Sequence, residues 1–265
     1  MSKLTLPADY LKNPAVFCED IHFTYPDQQP ALRGISVKID HGEKVAIIGP
    51  NGAGKSTFLS MLNGLLKGEG LLRIYGLDMQ KKHDKLIKSL VGLVFQNPDD
   101  QLFCPTIFED VAFGPLNLGL DRALLQERVH QALQEVGLSG YENRSSINIS
   151  FGEKKLVSIA TILSMQPQIV AMDEPTGYLD HAHRRRIINW IQSNDRTVLV
   201  TTHDLDLVAE TCRRVILFNA GKMVADGPVT EILNDEPLLN QNNLEKPARA
   251  VSVQSHHPLK SDLKT

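Results

Sequence analysis

The positions of apolar residues predict buried strands that alternate with helices in the second half of the chain. Short continuous apolar runs, typical of strands buried on both faces, occur at residues 45–48, 169–172, 198–200 and 215–218. Apolar residues recur at helical spacing at about 183–191 and 205–212. Because strands that alternate with helices favour a parallel sheet, this pattern predicts an α/β fold.

Two other regions depart from this alternation. From about residue 15 the chain is strand-like and short-turned up to the first buried run. From about 105 to 166 it is mostly helical, and Asp121 is placed to cap one helix that Gly137 would end. The pattern therefore predicts a strand-rich beginning and a helical insertion in the middle of the fold.

The two ends of the chain differ from its body. Residues 1–13 are interpreted as a flexible N-terminus, and residues 240–265 as a flexible polar tail that lacks any hydrophobic period. The folded domain is expected at 14–239, with the helical subdomain at about 105–166. No internal repeat is evident.

Composition narrows the functional classes. The chain has 265 residues and a net charge of −3, so no general attraction to nucleic acid or to an anionic membrane is expected. Cys18, Cys104 and Cys212 are scattered, which indicates free thiols in a reducing compartment. No signal peptide and no run of roughly 20 apolar residues is present, so we expect a cytoplasmic protein that does not span a bilayer, although it could dock onto a protein that does.

The strongest chemical motif is a phosphate-binding loop between a predicted strand and a predicted helix. It fits G-x-x-x-x-G-K-[ST] in full, and with the residue that follows it comprises Gly49, Pro50, Asn51, Gly52, Ala53, Gly54, Lys55, Ser56 and Thr57. Glycines let backbone N–H groups approach phosphates, Lys55 adds a positive charge, and the Ser56 hydroxyl can ligate Mg²⁺. The alternative is a glycine-rich turn without a ligand, which the strand–loop–helix context disfavours.

A second motif is the acid pair Asp173-Glu174, which ends the buried run at 169–172. Ligand sites form at the carboxyl ends of parallel strands. Asp173 would hold Mg²⁺, and Glu174 would orient or deprotonate an attacking water. Taken alone, the pair is equally typical of a turn before Pro175.

In this order and spacing, from about residue 15 to 235, the motifs resemble the ATP-binding cassette (ABC) ATPases. The resemblance implies an α/β fold with a RecA-like parallel-sheet core, an antiparallel β subdomain and a helical signature subdomain. It also implies ATP hydrolysis with ATP and Mg²⁺ as cofactors.

The resemblance assigns roles to four further residues. Tyr25 would stack on adenine, although a core strand aromatic is nearly as good an interpretation. Gln96 would contact Mg²⁺ and the attacking water, and His203 would contact the γ-phosphate. Asp180 occupies the D-loop position.

The segment at 149–153, ISFGE, stands where the family carries Leu-Ser-Gly-Gly-Gln, and we call it the signature segment. Ser150 and Gly152, which would contact the ATP bound by a second protomer, are retained, whereas Phe151 and Glu153 replace glycine and glutamine. Ser150 followed by Glu153 is also an ordinary helix-capping pattern. A capped helix start is itself an anion site, provided that the Glu153 carboxylate folds back onto the Ser150 N–H.

A more specific resemblance concerns the segments FQNPDDQLF (95–103) and FEDVAFGP (108–115), which look like the ATPases of energy-coupling-factor importers. It implies a peripheral subunit on the cytoplasmic face of the cell membrane. Its partners would be a second ATPase subunit, a transmembrane coupling protein that docks near 97–115, and a substrate-binding membrane protein.

Residues 225–238 and 244–247 are similar to the cobalt/nickel branch of those importers. A vitamin importer of the same type, and a poorly hydrolysing regulatory subunit of a heterodimer, remain open as alternatives. A soluble cassette ATPase that acts on DNA or ribosomes is disfavoured, because the chain has one cassette and no long coiled coil between Lys55 and Ser150.

Overall fold

The computed structural model describes residues 10–247. The predictions for residues 1–9 and 248–265, which include most of the expected polar tail, lie outside the described residues. Within the described part, the strands are β1 (Val16–Thr24), β2 (Pro30–Ile39), β3 (Lys44–Ile48), β4 (Glu69–Ile74), β5 (Leu77–Asp78), β6 (Val91–Val94), β7 (Ile169–Asp173), β8 (Thr197–Thr201), β9 (Arg214–Asn219) and β10 (Lys222–Pro228). The α-helices are α1 (Lys55–Leu62), α2 (Asp84–Leu90), α3 (Ile107–Leu118), α4 (Arg122–Glu135), α5 (Phe151–Leu163), α6 (His181–Ser193), α7 (Leu205–Thr211), α8 (Val229–Ile232) and α9 (Glu236–Gln241).

The central sheet has six strands in the order β10-β9-β3-β8-β7-β6. Neighbours from β9 to β6 pair in parallel, and β10 pairs antiparallel at one edge. Strands β3, β7 and β8 are buried almost throughout, which explains why their sequences are continuous apolar runs instead of alternating ones. The predicted α/β class with a parallel-sheet core is therefore confirmed.

A second, antiparallel sheet has the order β2-β1-β4-β5. Val16 of β1 faces both Ile39 of β2 and Ile74 of β4, so the middle strand contributes to pairing on both sides. The inner face of this sheet packs on α1 and the central sheet through a shared apolar cluster that includes Ile21 and Phe58. This packing places the strand-rich beginning of the chain beside the loop that precedes α1.

Helices α3, α4 and α5 form the helical layer, and they all lie within the predicted span of 105–166. Thr106 and Ser150 start α3 and α5 with capping boxes, and the Asp121 side chain caps α4. Gly137 has a φ of +73°, a left-handed conformation that ends α4 as predicted. These helices bury their apolar faces together and against β6 and β7.

The packed body extends past residue 239, where the sequence pattern had placed the start of a flexible tail. Helix α9 continues to Gln241, and Leu244 is buried in the cluster that covers β9. Asn242 is also buried, and its side-chain amide donates to the Leu238 carbonyl and accepts from Asn219. The segment has a polar composition, and a single leucine and a single asparagine do not form a periodic pattern. The sequence alone therefore could not predict that these residues pack on the domain.

The beginning of the described chain also has local structure. Tyr10–Lys12 form a short 3₁₀ helix within the span interpreted as a flexible N-terminus. Tyr10 packs on the apolar cluster shared by the two sheets. In the part of the chain that the structure describes, no helix is long and apolar enough to cross a membrane.

Candidate nucleotide-binding site

The phosphate-binding loop leaves the end of the buried strand β3 and enters α1 at Lys55. Two of its glycines have positive φ and no room for a side chain. A Cβ on Gly49 (φ +145°) would lie 2.0 Å from the Phe218 carbonyl oxygen, and a Cβ on Gly54 (φ +98°) would lie 2.4 Å from that of Ala31. The loop is therefore pressed against neighbouring backbone in a conformation that only glycine adopts without strain.

Lys55 is nearly buried, and its ammonium lies against the loop itself. The Nζ atom donates to the carbonyl oxygens of Gly49 (2.7 Å) and Pro50 (3.0 Å). Burial lowers the pKa of Lys55 below its ordinary value, and the carboxylates of Glu174 and Asp173 act in the opposite direction. The loop thus holds the Lys55 ammonium close enough to Asp173 and Glu174 for their negative charges to favour its charged form.

A cleft of about 340 Å³ brings together most of the residues predicted from sequence. Its lining includes Tyr25, Asn51, Gly52, Ala53, Gly54, Lys55, Ser56, Thr57, Gln96, Asp173, Glu174 and His203. Gly49 and Pro50 lie behind it and contribute the carbonyl groups that hold Lys55. By contrast, the signature segment and Asp180 do not line this cleft.

The acid pair stands where β7 ends, next to the end of β8. The Thr201 hydroxyl hydrogen-bonds Oδ1 of Asp173. The Glu174 backbone N–H donates to the Thr201 carbonyl (2.9 Å), and Glu174 has a φ of +43°. The adjacent strand β8 therefore orients both acids through its last residue.

Glu174 has one satisfied and one unsatisfied oxygen. Oε2 accepts from the Thr202 hydroxyl (3.1 Å) and the His203 N–H (3.3 Å). Oε1 is buried and accepts no hydrogen bond among the described residues, although Nε2 of His203 is 3.4 Å away. Burial raises the pKa of Glu174, and the charge of His203 opposes that rise. A buried carboxylate with a raised pKa and a free oxygen can accept a proton from a water.

His203 connects the phosphate loop to the end of β8. Its Nε2 lies 2.9 Å from Oδ1 of Asn51, and its ring is half-exposed at the edge of the cleft. The imidazole is therefore held between the loop and the acid pair, where it can contact an anion bound at the loop.

The cleft also offers a donor set for Mg²⁺. Ser56 lies in the first turn of α1, Gln96 follows β6, and Asp173 ends β7. Hydroxyl, amide and carboxylate oxygens are the hard ligands that Mg²⁺ takes, and its remaining positions are usually filled by phosphate and water. In residues 10–247 no group of three or more His, Cys, Asp or Glu could hold a metal ion alone. The residues present therefore fit a Mg²⁺ ion that arrives with a phosphate ligand.

Tyr25 follows β1 at the mouth of the cleft. The residue is 38% exposed, its hydroxyl bonds the Thr57 hydroxyl (2.9 Å), and the Phe23 ring meets it edge-on. The interpretation of Tyr25 as a core aromatic is therefore wrong, because the side chain lines a ligand-sized cleft.

The signature segment forms the start of α5, away from the cleft. Oε2 of Glu153 accepts from the Ser150 N–H (2.8 Å) and from the Ser150 hydroxyl (2.8 Å). The Glu153 N–H donates in return to Oγ of Ser150. The Tyr141 hydroxyl donates to Oε1 (2.7 Å). These hydrogen bonds lower the pKa of Glu153 to about 2. The carboxylate does fold back as a capping box, and it stays ionised.

The same helix start packs on the D-loop of its own chain. The rings of Phe151 and the exposed Tyr178 meet edge to face at 6.4 Å. A Cβ on Gly152 would lie 2.8 Å from the His183 ring, whose Nδ1 is 2.7 Å from Oδ2 of Asp180. Asp180 also caps α6 through the His183 N–H. The signature segment and the D-loop are therefore one continuous surface.

The structure shows one residue near the site that sequence reasoning missed. Lys155 is 0% exposed, and its Nζ donates to the carbonyl oxygens of Phe95 and Gln96 at 2.8 Å each. A usable signal existed, since this lysine falls on the apolar face of α5 between Gly152 and Ile159. A buried lysine is almost always paired, so its position required a specific set of acceptors.

Sequence comparisons agree with this geometry. Residues 32–177, more than half of the chain, match the family described as ABC transporter. The chain is 48% identical over 237 residues to the energy-coupling factor transporter ATP-binding protein EcfA of Methanothermobacter thermautotrophicus, covering 87% of this chain and 76% of that protein. It is 43% identical over 235 residues to EcfA of Methanocaldococcus jannaschii, covering 86% and 84% respectively.

Solved structures give the same result. The structure of cbiO1 from Clostridium perfringens, described as part of the ABC transporter complex cbiONQ, superposes with a TM-score of 0.75 at 32% identity. That match covers 87% of this chain and 95% of cbiO1. A dimeric post-hydrolysis state of the ATP-binding cassette MJ0796, bound to ADP and Pi, superposes with a TM-score of 0.73 at 26% identity, covering 81% and 98%.

Proposed function

We propose, from the premise that this chain belongs to the ABC transporter family of ATPases, that it drives cobalt or nickel uptake through an importer of the energy-coupling-factor type. ATP hydrolysis by a transporter subunit is the activity of the family. The observation that carries the assignment of ATP hydrolysis is the convergence of the phosphate loop, Asp173, Glu174 and His203 on one cleft. Support for the transported ion is narrower, because it rests on the resemblance of residues 225–238 and 244–247 to the cobalt/nickel branch.

The proposed binding roles follow the family resemblance, and the lining of the cleft supports them. Tyr25 stacks on adenine, and the loop N–H groups with Lys55 hold the phosphates. Ser56, Gln96 and Asp173 would hold Mg²⁺, and a bound Mg²⁺ would supply positive charge to the phosphate oxygens.

The hydrolytic roles fall to two residues at the end of the central sheet. Oε1 of Glu174 is free to accept the proton of an attacking water, since Thr202 and the His203 N–H already hold Oε2. The His203 ring is placed to contact the γ-phosphate because it already bonds Asn51 of the loop. Hydrolysis thus uses a carboxylate base and an imidazole that β8 and its following turn orient.

We propose that a second copy of the chain completes the site. Ser150 and Gly152 lie outside the cleft of their own protomer, at a helix N-terminus that suits an anion. The adjoining D-loop, with Asp180, would face the same partner. Closure of two copies around two ATP molecules would then do work on the membrane proteins.

The membrane partner has a candidate docking surface, which we call the coupling groove. It is a largely apolar cavity of about 680 Å³ between the central sheet and the helical layer, lined by residues that include Leu65, Phe95, Phe103, Asp110, Phe113 and Met165. Phe103 is 66% exposed and meets the Phe113 ring edge-on at 5.0 Å. Aromatic side chains exposed in a groove suit the apolar face of an inserted helix.

The coupling groove also carries an unsatisfied acceptor. Oδ1 of Asp110 accepts from the N–H groups of Phe103 and Cys104, and the buried Oδ2 has no partner among the described residues. A buried carboxylate oxygen without a donor favours a basic side chain on the incoming segment. We therefore propose a cytoplasmic helix of the transmembrane coupling protein, apolar with one cation, as the occupant. This interaction would hold the chain at the cytoplasmic face of the membrane as a peripheral subunit.

The catalytic proposal is tested by Glu174→Gln in the purified chain. Removing a general base is expected to lower kcat by at least about 100-fold. ATP binding, measured separately by titration, should persist because Lys55 and the loop are untouched. If turnover were unchanged, Glu174 would not be the base.

The second copy is tested by size-exclusion chromatography of Glu174→Gln with and without Mg·ATP. A dimer that forms with ATP and disappears in Glu174→Gln/Ser150→Arg supports the composite site. A chain that binds ATP but stays monomeric would exclude this homodimer in solution and require another protein to supply the second half.

A regulatory, poorly hydrolysing subunit is the second candidate function. The ionised Glu153 favours this function. Its carboxylate accepts the hydrogen bond of the Ser150 hydroxyl, which would otherwise be free to donate to phosphate. Hydrolysis by the chain alone separates the two functions, since a regulatory subunit would need a more active partner.

The transported ion is tested in cells that express the chain with its membrane partners. Uptake of radioactive cobalt or nickel that Glu174→Gln abolishes would support the metal assignment. ATP-dependent uptake of a labelled vitamin, with no metal uptake, would overturn it while leaving the importer type intact.

A further inference from the structure

Lys155 lies in the second turn of α5 with its ammonium in the interior of the protein. Besides the carbonyl oxygens of Phe95 and Gln96, its Nζ reaches that of Asp173 at 3.4 Å. The side chain is fully buried, so these three carbonyl oxygens replace the water that an ammonium normally binds. They belong to the residues that follow β6 and end β7, where Gln96 and Asp173 enter the cleft.

Both backbone polar groups of Phe95 are linked to α5 by hydrogen bonds, the carbonyl directly and the N–H through Gln101. Lys155 binds the carbonyl of Phe95, and Oε1 of Gln101 accepts from its N–H (3.1 Å). The side-chain amide of Gln101 in turn donates to the Ser158 carbonyl and the Thr161 hydroxyl at 2.7 Å each. Hydrogen bonds from α5 therefore hold both backbone polar groups of Phe95, the residue that precedes Gln96.

The neighbouring Lys154 shows what an ordinary lysine does at this place. Its ammonium forms an ion pair with Asp99 at 2.7 Å, and the side chains of Lys154 and Asp99 are 20% and 58% exposed. A pair that is partly open to solvent in this way contributes little to stability. Two adjacent lysines on one helix thus differ in burial and in what they hold.

We propose that Lys155 is a positioning residue for ATP hydrolysis, whose ammonium ties α5 to the backbone of Gln96 and Asp173 and so sets the place of the Gln96 side chain in the cleft. It touches neither nucleotide nor water, and it acts through Gln96. Because the signature segment starts the same helix, Lys155 also makes the position of Gln96 depend on how that helix sits.

The test is Lys155→Met, which keeps a long apolar stem and removes the three donors. We expect kcat of the purified full-length chain to fall on the order of 10- to 100-fold, as for other displacements of a catalytic group. The Kd for ATP in the absence of Mg²⁺ should stay within about twofold of wild type, because the hydrogen bonds of the Lys155 ammonium go to Phe95, Gln96 and Asp173, outside the phosphate loop. Lys154→Met is the matched control, and its kcat should be unchanged.

A double-mutant cycle separates positioning from a general structural role. If Lys155 acts through Gln96, Lys155→Met should lower kcat less than about twofold in a Gln96→Ala background. A full, additive loss in that background would overturn the proposal, and so would a parallel loss of Mg²⁺-free ATP binding.

Loss of folding is handled by a second variant. If circular dichroism shows that Lys155→Met is unfolded, the same cycle is run with Lys155→Gln, whose amide keeps two donors on a shorter stem. That variant should give an intermediate loss of kcat that again depends on Gln96, and an unchanged kcat would overturn the proposal. A wild-type chain without any hydrolysis would instead contradict the proposed function, so the two failures are distinguishable.

Discussion

The cleft at the phosphate loop and the surface at the start of α5, which we propose as the two halves of one nucleotide site, differ in how far their polar groups are satisfied. In the cleft, groups from β3, β6, β7 and β8 converge, and Oε1 of Glu174 is left without a partner. At the start of α5, Ser150 and Glu153 satisfy each other and Tyr141 completes the set. Under the proposed function, this difference is expected, because the half that reacts needs a free acceptor and the exposed half is stable only with its polar groups satisfied until a partner binds.

The largest effect is expected in the phosphate loop, from Gly49→Ala. A Cβ there would overlap the Phe218 carbonyl oxygen at 2.0 Å, and the residue has a φ of +145°. We expect a loss of more than about 3 kcal/mol in the free energy of unfolding, from backbone strain and overpacking together. Urea denaturation of the purified variant measures it.

The matched control is Gly52→Ala in the same loop. Gly52 also has a positive φ, of +77°, but a Cβ there would meet nothing within 4 Å. Its loss of unfolding free energy should be only about 1 kcal/mol, from the left-handed conformation alone. Equal losses in both variants would show that close approach to β9 does not constrain the loop.

A smaller effect is expected at the other site, from Gly152→Ala. The added Cβ would lie 2.8 Å from the His183 ring, which Asp180 holds in place. The free energy of unfolding should fall by about 1–2 kcal/mol, and the ATP-dependent dimer should be lost because the D-loop shifts. ATP binding to the monomer, measured by titration, should be unchanged, and a loss of that binding would contradict the separation of the two sites.

The smallest effect is expected from Glu153→Gln, as a function of pH. The folded-state pKa of Glu153 is depressed from 4.5 to about 2, so its stabilisation is present above pH 4.5 and is lost as the pH falls toward 2. At pH 7 the variant should be less stable than wild type by about 1 kcal/mol, a value reduced by partial solvent exposure. Urea midpoints at pH 7 and pH 3 should show the difference shrinking, and a constant difference would exclude the charged capping box as its cause.

Much of the fold followed from short sequence patterns, because each was satisfied locally. The continuous apolar runs became the buried strands β3, β7, β8 and β9, since a strand covered on both faces has no polar side. The cap at Asp121 and the box at Ser150 also formed as predicted, because their hydrogen bonds join residues three apart.

Other features escaped sequence reasoning because they depend on contacts between distant residues. Thr201 and Thr202 orient the acid pair from the neighbouring strand, and nothing in their own segment indicates that task. Leu244 ends a polar stretch, and only the cluster on β9 shows that it is buried.

The phosphate loop, the acid pair and the capped start of α5 could be located from sequence alone, since each is a contiguous segment whose chemistry its own neighbours dictate. The tertiary structure was needed to bring Gln96 and His203 to the same cleft, to leave Oε1 of Glu174 without a donor, and to bury Lys155 against three carbonyl groups. The physical reason is that burial and hydrogen-bond satisfaction belong to the packed whole. A residue's partners across the sheet decide whether its charge is free to react, already neutralised, or used to hold another residue in place.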